Sequence, residues 1–146
     1  MSISFFNEDS FLELSQIQES EIIFWIEQSA LLYEYSIDEL NYIFCSDRCL
    51  LEINQSHLNH DTLTDIITFD LSEEENIISG DIFISVDRVS ENSKIFNTSF
   101  SKELARVLIH GVLHLVGFND KSDNDSRIMR EREDFHIKDF NIDIIY

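Results

Sequence analysis

The stretch Gly80-Asp81-Ile82-Phe83-Ile84-Ser85-Val86 decides the fold, because two kinds of pattern meet in it. Gly80 to Ser85 is β-branched and aromatic and reads as a strand, whereas after Val86 the pattern becomes helical and mostly stays so. Upstream, Thr64 to Phe69 reads as another strand, separated from the first by the acidic surface loop Ser72-Glu73-Glu74-Glu75-Asn76. Asn41 to Cys45 is a third, with Ser46 as the N-cap of a helix carrying Leu50, Leu51, Ile53 and Asn54. Ile3 to Phe6 supplies a fourth short strand. From about Ser15 a helix follows, in which Ile22, Ile23, Ile26 and Ala30 recur near the helical period and pack on the sheet. The expectation is an α+β fold: a mixed sheet of about four strands covered by about five helices. With no proline, three glycines, no repeat and no linker, one domain over residues 1–146 is expected.

The composition narrows the classes of function. Twelve phenylalanines and 43% hydrophobic residues can fill a core. No basic residue precedes an apolar run at the N-terminus, so a signal or transit peptide is not expected and a cytoplasmic location is. The apolar neighbourhood Val107–Phe118 is about half the ~20 residues a helix needs to cross a bilayer. Cys45 and Cys49, four apart, fit neither a redox motif nor a disulfide framework and read as small buried hydrophobes.

The net charge of −19 is unevenly placed: residues 1–85 hold eighteen acids and one basic residue, Arg48, and residues 86–146 hold eleven acids and nine Lys/Arg. Any phosphate contacts are therefore expected from the C-terminal part, with weak, salt-sensitive intrinsic affinity for a polyanion, and no DNA partner is expected.

The near-neutral part contains His110-Gly111-Val112-Leu113-His114-Leu115-Val116-Gly117-Phe118-Asn119-Asp120. On a helix His110 and His114 lie about 40° apart with Cβ atoms about 5–6 Å from each other, so two imidazoles can share an ion. Leu104, Leu108, Gly111, Val112 and Leu115 occupy the opposite arc and anchor the helix in the core. Gly117 can take a left-handed conformation, end the helix and carry Asp120 back to the ion. The resulting His-x3-His-x5-Asp set at the end of a central helix suits Zn²⁺ and leaves a fourth position for water; Asp123 is the alternative third ligand if the turn is longer. The spacing resembles an extended zinc-protease motif, but Gly111 stands where such a peptidase has its glutamate base. A zinc peptidase-like hydrolase and a non-catalytic module stiffened by its metal are the competing readings.

His110 to Phe118 resembles the H-G-x-L-H-L-x-G-[YF] signature of the YbeY family, bacterial rRNA maturation factors described as single-strand-specific endoribonucleases. Ile53-Asn54, Thr64 to Phe69, and Gly80-Asp81-Ile82 resemble further family motifs in the same order, and Met129 and Glu133 resemble a methionine and glutamate that follow the metal motif. The resemblance implies a small α+β domain with one zinc on three side chains, acting on an rRNA precursor with the ribosome or a ribosome-associated protein, in rRNA maturation and ribosome quality control.

Two departures stand out. The family signature usually ends in Asp-His, where this chain has Asn119-Asp120, so the third-ligand role passes to Asp120. Leu58 stands where the family commonly has an arginine. Arg106, about 40° from His110 on the wheel, is the candidate substitute cation, and Glu103, two turns behind His110 on the same face, the candidate acid or base; a simple i,i+3 surface pair is the competing reading of these two. Phe100 and Phe118 could stack bases, although core packing is the expected use of each. His57 and His60 read as surface or loop residues, and His136 carries no special pattern.

Overall fold

The computed structural model describes residues 2–58 and 64–146; the side chains of residues 57 and 58, and His60, lie outside it. The chain runs β1 (Ser2–Asn7), α1 (Gln16–Leu32), β2 (Ser36–Cys45), α2 (Asp47–Leu58), β3 (Ile66–Asp70), β4 (Ile77–Ser85), α3 (Val86–Ile95), α4 (Phe100–Leu115) and α5 (Asp123–Ile137). The four strands form one mixed sheet in the order β1-β2-β4-β3. β1 pairs parallel with β2, β2 parallel with β4, and β3 antiparallel with β4. The α+β architecture with a four-stranded mixed sheet and five helices is thus present.

Strand ends differ from the sequence expectation. β2 begins at Ser36 rather than Asn41, and β4 at Ile77 rather than Gly80, because Ser36–Leu40 and Ile77–Gly80 pair with each other. Backbone pairing recruits the polar Ser36 and Glu39, which β-propensity leaves out, and Asp38 sits at the register shift between Ile37 and Glu39.

The helix starts follow local chemistry. Ser15 caps α1 in a reciprocal capping box with Gln18, and Ser85, Ser99 and Ser122 each accept an N-terminal backbone N–H of the helix they open. α1 buries Ile22, Trp25, Ile26 and Ala30, while Ile23 is only half-buried. Buried Cys45, Leu50 and Ile67 form a small second core with the half-buried Cys49, and both cysteines are free thiols.

α4 is the central helix, touching α1, α3, α5, β3 and β4. Leu104, Leu108 and Val112 have no exposed surface. Gly111 sits where α4 presses on the sheet: a Cβ there would lie 2.7 Å from Ile82 Cδ1 and 3.2 Å from Ile66 Cδ1. Among the described residues no helix is long and apolar enough to cross a membrane.

Candidate metal centre

α4 carries both histidines on the side away from its core face, each partly exposed, and its C-terminus brings the third group to them. The Gly117 N–H donates to the His114 carbonyl (3.0 Å) and the Phe118 N–H to the Leu113 carbonyl (2.9 Å), a Schellman ending. Gly117 adopts φ +109°, in the left-handed half of the map. The reversed chain then places Asp120 Oδ2 3.5 Å from both His110 Nε2 and His114 Nε2.

Each ring is held from its far side. His110 Nδ1 donates to Glu133 Oε2 at 2.7 Å, and His114 Nδ1 donates to the Phe118 carbonyl at 2.9 Å. With both Nδ1 protons directed outward, the two Nε2 atoms face each other at 3.0 Å. Two nitrogen lone pairs and a carboxylate oxygen thus converge with no proton donor supplied between neutral rings. Tetrahedral bonds of about 2.0–2.1 Å would separate ligand atoms by about 3.3 Å, close to the spacing of this trio. His110, His114 and Asp120 form the group able to hold a metal ion, and their donor chemistry fits one. Asp123, at the first position of α5, does not belong to it.

The electrostatics of the rings reflect the same arrangement. Burial alone would lower the His110 pKa, but the Glu133 carboxylate, with help from Asp120 and Asp65, holds it above its ordinary value. Burial and the neighbouring His110 charge lower that of His114, against the pull of Asp120. Proton binding is thus favoured at the first ring and disfavoured at the second.

The trio opens onto a cleft of about 570 Å³ bordered by β3, where Asn54, Asp65 and Asp70 join it. Among the described residues no Lys or Arg lines this cleft. Behind His110 a smaller cavity of about 230 Å³ is lined by Asp65, Glu103, Arg106, Arg130 and Glu133. Burial, with the charges of Glu133 and against that of His110, raises the Asp65 pKa; burial likewise raises that of Glu103, against Arg106.

Arg106 and Glu103, singled out in the sequence, lie in this second layer. Arg106 donates to Glu133 Oε1 at 2.9 Å and contacts Asp134 at 2.9 Å, with Glu103 at 3.8 Å. The Arg106–Glu103 pair is therefore one edge of a larger network, not an isolated surface pair. Phe118 packs edge-to-face on Tyr33, and Phe100 stacks on Tyr146. Glu133 and Asp65 are the site residues to which sequence reasoning assigned no role. The available signal for Glu133 was its phase: Met129, Glu133 and His136 form the buried side of α5, and a carboxylate there must have a partner.

The sequence model of the family described as Endoribonuclease YbeY matches residues 4–141. The chain belongs to the YbeY family. Its relatives include the protein named Endoribonuclease YbeY of Flavobacterium psychrophilum, 51% identical over 86% of this chain and 89% of its own length. The Cytophaga hutchinsonii protein of the same name is 50% identical over 91% of this chain and 92% of its own. A solution structure from Thermotoga maritima superposes with a TM-score of 0.67 at 29% identity, covering 94% of this chain and 87% of that one. In this YbeY-family chain the His110–Gly117 signature is the C-terminal end of α4 and the turn that closes it, from which Asp120 returns to the two histidines.

Proposed function

We propose that residues 1–146 work as one metallohydrolase domain, a zinc-dependent endoribonuclease acting on single-stranded RNA in rRNA maturation and ribosome quality control. The observation that carries this reading is the convergence of His110 Nε2, His114 Nε2 and Asp120 Oδ2 beside an open cleft in a YbeY-family chain. His110, His114 and Asp120 would hold the zinc, whose service when bound is Lewis-acid charge at the scissile phosphodiester or its nucleophile.

The chain's own residues do the rest. The rings are preset by Glu133 and by the Phe118 carbonyl. Asp65 borders the cleft and is the better placed proton acceptor, while Glu103 reaches only the cavity behind His110 and acts through Arg106. The acidic cleft wall suits a substrate delivered by a partner, here the ribosome or a ribosome-associated protein in the cytoplasm, better than capture of free RNA. A peptidase reading loses ground at Gly111, which lacks the glutamate base and where even a Cβ would lie 2.7 Å from Ile82 Cδ1.

Two measurements test the proposal. Elemental analysis of protein purified without added metal should give about one zinc per chain, lost in Asp120→Ala. Cleavage of single-stranded RNA should disappear in His114→Ala at matched folding; equal cleavage by both proteins would refute the metal-nuclease reading, and EDTA-sensitive cleavage of a peptide library would favour the peptidase.

A further inference from the structure

Resting on the zinc reading above, we infer that Arg106 and Glu133 are positioning residues for His110: Glu133 fixes the ring's tautomer and direction, and Arg106 acts only by fixing Glu133. Glu133 spends one oxygen on each neighbour, Oε2 on His110 Nδ1 at 2.7 Å and Oε1 on Arg106 Nη1 at 2.9 Å. The residue is 4% exposed. A carboxylate so buried is retained only with its charge matched and its oxygens bonded, and Arg106 and His110 together meet both conditions.

Arg106 is itself held in place. Its Nη2 meets Asp134 at 2.9 Å and its Nε faces Glu103 at 3.8 Å, so three carboxylates engage one guanidinium. A guanidinium held at 2.9 Å by two carboxylates is committed to them rather than to an RNA phosphate, and it lines the cavity behind His110 rather than the cleft in front. The network also bridges two helices, with Arg106 and His110 one turn apart on α4 and Glu133 and Asp134 adjacent on α5. The direction of the His110 ring therefore depends on how α5 packs against α4. His114 differs, because its Nδ1 is held by the Phe118 backbone carbonyl, a partner supplied by the turn itself. The two rings of one site are thus oriented by independent devices, and only one can be removed by changing a side chain.

Zinc affinity, measured by competition with a chromophoric chelator, separates this from a merely structural role. Glu133→Gln should weaken zinc binding by about 10–100-fold. Arg106→Met should weaken it by less, Arg106→Lys should recover part of that loss, and Glu133→Gln combined with Arg106→Met should be no weaker than Glu133→Gln alone, because the arginine acts through the glutamate. Additive losses, or undiminished affinity in Glu133→Gln, would overturn the inference. Nitrogen-15 NMR of zinc-loaded wild type adds a test that needs no variant to fold: His110 should carry its proton on Nδ1, and a proton on Nε2 would overturn the assignment. A wild-type chain that binds no zinc would instead refute the metal reading itself, and this inference with it.

Discussion

His110 Nε2 stands 3.0 Å from His114 Nε2 while each ring's Nδ1 is bonded outward. Two donor atoms so placed repel unless a cation lies between them, so ion binding should be coupled to folding. Zinc at about a hundredfold over its Kd should add about 2.7 kcal/mol to stability. For a chain of this size that corresponds to a rise in Tm of about 8–10 °C by calorimetry. The rise should vanish in His114→Ala. A Tm unmoved by zinc or EDTA would contradict the site.

Gly117 tests the turn separately from the ligands. Nothing lies within 4 Å of the position a Cβ would take, so Gly117→Ala has space but must adopt φ +109°. That backbone strain should cost about 1–3 kcal/mol in urea unfolding. If the chain relaxes instead, Asp120 swings away and zinc affinity drops. A Gly117→Ala protein with wild-type stability and wild-type zinc affinity would show that the turn does not depend on glycine.

Gly111 should respond through packing. Gly111→Ala brings a methyl within 2.7 Å of the fully buried Ile82. Overpacking costs typically about 1–3 kcal/mol, offset in part by the better helix propensity of alanine, up to about 1 kcal/mol. The expected net is a destabilised protein by thermal melt; a Gly111→Ala variant more stable than wild type would show that α4 rides farther from the sheet.

The candidate trio was legible because its geometry is local. His110 and His114 are one turn apart on one helix, and Gly117 announces the reversal that returns Asp120. Glu133 arrives from α5, and its pairing with His110 depends on how two helices pack, which spacing along the chain does not encode. Arg106 was found by its place on the helical wheel, but the wheel shows only its own helix and so gives Glu103 as its partner, not Glu133 and Asp134. The sheet's strands were legible in their β-branched centres and not at their starts, where Ser36 and Glu39 enter β2 through backbone pairing.

His136, unremarkable in sequence, controls a pH dependence. It is 4% exposed and shares a 2.6 Å hydrogen bond with the Tyr33 hydroxyl through Nε2, and its backbone carbonyl accepts from Trp25. Burial, reinforced by Arg132, brings its pKa down to about 4. The folded-state value lies below the unfolded one, so the unfolded chain binds the extra proton first. Stability is therefore full above about pH 6.5 and lost as pH falls toward about 4. Between about pH 7.5 and pH 5 the wild type should lose about 2 kcal/mol more than His136→Gln in urea unfolding, since glutamine keeps an acceptor for Tyr33 without a titrating ring. Parallel pH profiles for the two proteins would show that His136 is charged in the fold.

The last consequence concerns how RNA is held. Asp65, Asp70 and Asp120 border the cleft and no described Lys or Arg does, so few phosphates can be neutralised there. For single strands the slope of log K against log salt is about −0.7 per phosphate neutralised. With about two such contacts from the C-terminal cations, affinity for a naked single strand should fall less than about tenfold between about 50 and 200 mM salt. The absolute affinity should be weaker than about 10 μM, in the range of non-specific binding, by fluorescence anisotropy. Zinc should improve it by adding positive charge where the three ligands converge. Nanomolar binding to naked RNA, or a slope steep enough to require six or more phosphate contacts, would mean that a basic surface other than the cleft captures the strand.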